Sequence, residues 1–127
     1  IRLMMDEAEE GSRDHTGMTL NIAINYGGRD ELTRAVRQLS QACINGQISP
    51  VDIQYEQIAD CLDTAGQPDP DLIIRPSGEK RLSNFLICQS AYAEFIYMNV
   101  LWPDFTPKHL NRALWEYSKR SRRFGGI

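Results

Sequence analysis

The sequence predicts an α/β domain with a largely parallel sheet flanked by helices, and three observations carry that prediction. Short β-branched runs such as Asp71-Leu72-Ile73-Ile74 alternate with segments of helical apolar spacing such as Leu32, Ala35, Val36 and Leu39. Clusters of glycine and proline punctuate them at Gly27-Gly28, Gly66-Gln67-Pro68-Asp69-Pro70 and Pro76-Ser77-Gly78. With 127 residues and 42% hydrophobic content, the chain is long enough for one modest domain with a real core.

The chain opens on Ile1 to Glu10, which reads as helical but carries neither a capping residue nor an initiator Met, so it is expected to start inside a helix and to lack upstream sequence. After Gly17, the run Met18 to Asn25 is expected to form a short strand ending at the turn Tyr26-Gly27-Gly28-Arg29. Asp30 or Thr33 can cap the helix that follows, whose apolar stripe is Leu32, Ala35, Val36, Leu39, Ala42 and Cys43 and which ends near Gly46. A strand, a Gly-Gly turn and a helix can cradle a phosphate, but without a longer glycine fingerprint a plain structural turn explains the pattern as well.

Beyond Pro50, the segment Asp52 to Leu62 carries Ile53, Ile58, Ala59 and Leu62 at near-helical spacing. The run Asp71 to Ile74 is then expected to be a buried strand that delivers Arg75 to its C-terminal tip. Ser83 and Asn84 are good N-caps for an apolar helix from Phe85 to about Ala91. Ala93 to Val100 is another strand candidate. Thr106 as cap and Pro107 at the first position then open a final helix that buries Leu110, Ala113, Leu114 and Tyr117.

The chemistry is concentrated in Arg75-Pro76-Ser77-Gly78-Glu79-Lys80-Arg81-Leu82-Ser83-Asn84-Phe85. Ligands of open α/β sheets sit at the carboxyl ends of strands, and two guanidiniums with a serine hydroxyl just past such a tip suit a diphosphate. A helix beginning after Asn84 would add backbone donors to the same anion. The competing reading is an Arg75–Glu79 or Arg81–Glu79 ion pair beside an ordinary cap. Lys119, Arg120, Arg122 and Arg123, crowded before Phe124-Gly125-Gly126, similarly admit charge compensation of a helix C-terminus or a contribution to an anionic ligand or partner subunit.

A net charge of −3 argues against nucleic acid as a partner, because phosphate-backbone binding needs a basic face. Cys43, Cys61 and Cys88 are odd in number and lie in apolar segments, as reduced core residues of a cytosolic protein do. No apolar run approaches membrane-spanning length.

Several of these segments, in this order, resemble the cis-prenyltransferases and in particular the undecaprenyl diphosphate synthases. They are Leu20 to Arg29, Asp71 to Glu79, Arg81 to Leu86, Ala91-Tyr92-Ala93-Glu94, Leu101-Trp102-Pro103-Asp104-Phe105 and Arg122 to Gly126. The resemblance covers only the C-terminal half of that family's usual chain, so residues 1–127 are expected to be the C-terminal part of a single domain whose N-terminal part is absent from this sequence.

The resemblance implies sequential condensation of isopentenyl diphosphate, in cis, onto an allylic diphosphate such as farnesyl diphosphate. The product is a long polyprenyl (undecaprenyl) diphosphate, a lipid-carrier precursor for cell-wall synthesis. On this resemblance Arg75, Arg81 and Ser83 bind the isopentenyl diphosphate head group, Glu79 and Asn84 support them, and Glu94 is the carboxylate associated with Mg²⁺. No catalytic residue is assigned. The family's Asp-Gly-Asn-x-Arg motif for the allylic diphosphate is not in this sequence, so half the active site is expected to lie elsewhere. A homodimer through Phe95 to Phe105 and the Phe85 helix, a cytoplasmic location and at most peripheral membrane contact complete the expectation. A non-catalytic partner subunit and a generic phosphate-binding α/β domain are the alternative functions.

Overall fold

The structure, a computed structural model, describes residues 2–121. Its sheet has two parallel strands, β1 (Leu72–Arg75) and β2 (Glu94–Tyr97), in the register Leu72↔Glu94, Ile73↔Phe95, Ile74↔Ile96 and Arg75↔Tyr97. Four helices accompany it: α1 (Arg2–Ser12), α2 (Gly28–Ile44), α3 (Tyr55–Ala59) and α4 (Pro107–Tyr117). The parallel α/β organisation expected from the sequence is therefore present.

Alternation along the strands sorts their side chains between two faces. Ile96, Met98 and Ala113 form the buried cluster, with Leu72, Ile74, Val100, Phe105 and Tyr117 packed against it, so one face of the sheet rests on α4. Helix α4 starts as the sequence predicts, with Thr106 as N-cap and Pro107 in its first turn. The Thr106 amide donates to Nδ1 of His109 at 3.1 Å, which fixes the entry of the helix. Of its expected apolar face, Ala113 is fully buried and Tyr117 half-buried, while Leu110 and Leu114 are exposed.

Helix α2 differs from expectation at its start. Its N-cap is Gly27, not Asp30 or Thr33, which lie inside the helix. Asp30 and Glu31 place acidic groups in the first turn, favourable at the positive end of the helix dipole. Ala35 is buried but Val36 is exposed, so the buried stripe is narrower than the periodicity suggests. Arg34 joins α2 to the segment after α3, giving both Nη atoms to Asp63 at 2.9 and 2.6 Å and Nε to Asp30 at 3.0 Å.

Three predicted elements take other forms. Residues 18–25 form no strand, because apolar alternation supplies faces and not a ladder partner; among the described residues β1 and β2 pair only with each other. Met18, Leu20, Ile22 and Ile24 consequently stand exposed. The segment 52–62 splits into a 3₁₀ turn at Pro50–Asp52 and the short α3, and the strand expected over 93–100 is confined to β2.

The helix expected from Phe85 to Ala91 is a series of turns, closed by bonds such as Phe85 N to Leu82 O at 3.2 Å and Ser90 N to Leu86 O at 2.9 Å. Ser83, Asn84 and Leu86 have φ of 50°, 67° and 45°, in the left-handed region that a right-handed helix excludes. The three cysteines are free, and are half-buried where the sequence reading expects core residues. Among the described residues, no helix is long and apolar enough to cross a membrane. Ile1 and the segment Arg122 to Gly126, on which part of the sequence reading rests, lie outside the described residues.

Candidate anion site

The sheet face opposite α4 carries Ile73 and Arg75 from β1 beside Phe95 and Tyr97 from β2. These four residues, with Arg81, Leu82 and Phe85 from the following loop, line a cavity of about 220 Å³. The strand delivers Arg75 to its C-terminal end and the loop returns Arg81 to the same cavity. That is the convergence the sequence pattern predicts. Behind Arg75 the chain is pinned: the amides of Ser77 and Gly78 donate to the carbonyls of Val100 (2.7 Å) and Met98 (2.8 Å). Both residues sit at positive φ, 73° and 71°, and a Cβ on Gly78 would meet Oδ1 of Asn99 at 3.2 Å.

The two arginines differ electrically. Arg75 Nε is buried without a hydrogen-bond partner, and a buried charged donor left unpaired is costly, so this atom has unused capacity for an acceptor in the cavity. Arg81 is largely exposed and its Nη1 donates to Glu79. Of the two ion pairs open in the sequence, Arg81–Glu79 is the one that forms, which is a pairing the competing structural reading expects.

Ser83 is exposed, two residues beyond Arg81, and does not line the cavity. Asn84 caps a different helix from the one the sequence suggests. Its carbonyl accepts from Gly28 N at 2.7 Å and its Oδ1 from Arg29 N at 3.0 Å, so it satisfies the first two free amides of α2 from outside. The Gly-Gly turn is therefore a seat for the Asn84 loop, with the amides of Gly28 and Arg29 already engaged. A Cβ on Gly27 would lie 2.8 Å from Nδ2 of Asn84, and one on Gly28 would lie 3.2 Å from Ile87 N and 3.3 Å from Asn84 O.

Behind this seat is a buried polar cluster that sequence reasoning missed. Glu31 is fully buried. Its carboxylate accepts from Tyr26 Oη at 2.5 Å, from Asp63 N at 2.8 Å and from Gln89 Nε2 at 3.2 and 3.3 Å; Gln89 Nε2 also donates to Thr64 Oγ1 at 3.0 Å. Burial, reinforced by the hydrogen bond to Glu31, pushes the Tyr26 hydroxyl up to about 12. The Tyr26 ring meets Phe85 edge-on with centroids 5.6 Å apart. A signal existed: Glu31 stands four residues before Ala35, on the buried face of the helix.

Glu94 is not brought to the arginines. It opens β2 opposite Leu72, whereas Arg75 pairs with Tyr97, so the two stand at opposite ends of the sheet, about 10 Å apart along the strand. Its carboxylate accepts from Arg120 Nη1 at 2.7 Å, and Arg120 also reaches Glu116 at 3.1 Å. Among the described residues, no three His, Cys, Asp or Glu side chains gather as metal ligands. One carboxylate already neutralised by a guanidinium does not make a magnesium site by its own donor set.

Fold and cavity together define an α/β protein that gathers two guanidiniums at one cavity past a strand's C-terminal end. Residues 1–125 match the family model described as "Putative undecaprenyl diphosphate synthase". The isoprenyl transferase of Brucella abortus is 51% identical over 127 residues, all of this chain and 50% of that protein. Lavandulyl diphosphate synthase from Lavandula x intermedia, solved in complex with dimethylallyl diphosphate, superposes with a TM-score of 0.95 at 36% identity, over 98% of this chain and 54% of that one. A probable undecaprenyl diphosphate synthase from Campylobacter jejuni gives 0.81 at 33% identity, over 98% and 56%. This chain belongs to the undecaprenyl diphosphate synthase family of prenyltransferases. It spans about half the length of the curated relatives it matches.

Proposed function

We propose that this chain supplies the isopentenyl diphosphate half of a cis-prenyltransferase active site. The polypeptide adds isopentenyl diphosphate units in cis to an allylic diphosphate such as farnesyl diphosphate, giving a long polyprenyl diphosphate of the undecaprenyl class, a lipid-carrier precursor for the cell wall. The observation that carries this reading is the convergence of Arg75 and Arg81 on one cavity, with Arg75 Nε buried and unpaired.

In each condensation, the C4 alkene carbon of isopentenyl diphosphate bonds to the allylic C1. The C1–oxygen bond breaks and its electron pair leaves with the allylic diphosphate. A proton then departs from C2 and the new double bond forms. The nucleophile must be held by its own diphosphate while its alkene end stays free, which fixed guanidinium donors achieve at no reorganisation cost during reaction. Arg75 and Arg81 are those donors, and Phe85, Phe95 and Tyr97 line the cavity beside them; Ser83, which lies outside the cavity, could add its hydroxyl only after the loop moves.

The allylic diphosphate site and the remaining donors for Mg²⁺ are assigned to polypeptide outside the described residues; the metal, when bound, would neutralise charge on the departing diphosphate. Glu94 would contribute one oxygen only after exchanging Arg120. A homodimer formed through the exposed Tyr97, Leu101, Trp102 and Phe85, acting in the cytoplasm with at most peripheral membrane contact, completes the proposal.

The test is incorporation of labelled isopentenyl diphosphate into extractable lipid by the intact polypeptide, with farnesyl diphosphate and Mg²⁺ against an EDTA control. EDTA-sensitive product that is lost in both Arg75→Ala and Arg81→Ala supports the reading. Native isopentenyl diphosphate binding in both variants would sink it.

A further inference from the structure

Three non-glycine residues at positive φ within four positions, Ser83, Asn84 and Leu86, do not hold that shape by local preference. The surroundings hold it. Asn84 is bonded twice to the first turn of α2, by its carbonyl and by its side chain. Phe85 packs on Tyr26, and Gln89 is tied to the fully buried Glu31 of the same helix turn. The missing side chains at Gly27 and Gly28 are what allow this approach, since a Cβ at either would meet Asn84 or Ile87 at 2.8 to 3.2 Å.

This same loop presents Arg81 and Ser83. Arg81, exposed and anchored only through Glu79, inherits its position from the backbone behind it. We propose that Asn84 is a positioning residue: latched to the α2 N-terminus, it sets the loop geometry that brings Arg81 to Arg75, and so sets affinity for the isopentenyl diphosphate head group. The inference rests on the function proposed above and deepens it. Asn84 touches no reacting atom in this scheme; its whole effect passes through Arg81 and Ser83.

The experiment compares Asn84→Ala, Asn84→Asp and Gly28→Ala in the intact polypeptide. Steady-state KM is measured for isopentenyl and for farnesyl diphosphate, with hydrogen exchange at the amides of residues 28 and 29. Asn84→Ala removes the acceptor for Arg29 N. Asn84→Asp retains it, tolerates positive φ and directs its charge at the helix N-terminus, where charge of that sign is favourable. Gly28→Ala pushes the loop away through Ile87 and the Asn84 carbonyl while keeping the Asn84 side chain.

The expected result is a rise of about tenfold in the isopentenyl diphosphate KM for Asn84→Ala and Gly28→Ala, with faster exchange at residues 28 and 29 in Asn84→Ala. The farnesyl diphosphate KM should stay within threefold of native, and Asn84→Asp should restore the isopentenyl diphosphate KM to within threefold. A purely structural role would lower the active fraction, and so apparent kcat, at unchanged KM; that result overturns the proposal, as does equal impairment of Asn84→Ala and Asn84→Asp. If the native protein itself fails to bind isopentenyl diphosphate, the proposed function fails first and this inference falls with it, a result distinct from native binding that the variants leave unchanged.

Discussion

Arg120 Nη1 donates to Glu94 at 2.7 Å and thereby ties the residues just past α4 to the first residue of β2. The two carboxylates around Arg120 hold its guanidinium above the ordinary arginine range, the Glu94 hydrogen bond foremost. The pair is partly exposed, so its contribution is that of a screened ion pair, about 0.5–1 kcal/mol. Arg120→Ala should lower unfolding stability by roughly that amount in a urea titration, and the loss should shrink at high salt.

Glu31 is the group on which the hydrogen bonds behind the anion site converge. Glu31→Ala removes the acceptor from Tyr26 Oη, Asp63 N and Gln89 Nε2 together. Gln89 Nε2 keeps Thr64 Oγ1, so two donors are stranded at about 1–3 kcal/mol each, and a loss of about 2–5 kcal/mol is expected from urea unfolding. Glu31→Gln, which keeps one acceptor, should lose less.

Tyr26 predicts an alkaline limit. Its folded hydroxyl titrates near 12 against 10 in the unfolded chain, so the folded state retains the proton longer. The resulting stability is intact below pH 10 and declines between pH 10 and 12. In thermal melts across that window, Tyr26→Phe should show a shallower decline than the native protein.

Asp63 predicts the corresponding acid behaviour. The Arg34 guanidinium holds its carboxyl below the ordinary carboxylate range. Stability from this pair is present above the ordinary carboxylate pKa and is lost as pH falls through the lowered value. Arg34→Met should make the acid limb of a stability–pH profile less steep.

The α4 face of the sheet has little tolerance for shrinkage. Ile96 is 2% exposed at the centre of the buried cluster. Ile96→Ala should cost about 2–5 kcal/mol in denaturant unfolding, against less than 1 kcal/mol for alanine at exposed Val51.

Where sequence and structure agree, a local rule was sufficient. The β-branched run before Arg75 specifies a strand, and Thr106-Pro107 specifies a helix start whatever surrounds them. The arginine pair was legible for the same reason, because strand end and loop are neighbours in sequence. Disagreements arise where a distant segment decides. Asn84 reads as the cap of its own helix, yet it caps one that begins 56 residues earlier, and that engagement is incompatible with a helix at Phe85. Residues 18–25 have the alternation of a strand but no described partner to complete it. Glu94 seemed to belong with the arginines on resemblance, and only the strand register separates them.

The double hold of α2 on Asn84 also bears on how this protein would answer a compound aimed at its arginines. On the proposed function, a small dianion lodged between Arg75 and Arg81 would meet residues whose substitution also weakens substrate binding. Gly27 and Gly28 do not line that cavity. A methyl group added at either would reshape the pocket from behind, but with the same cost to substrate affinity, so escape that spares the enzyme does not open there either.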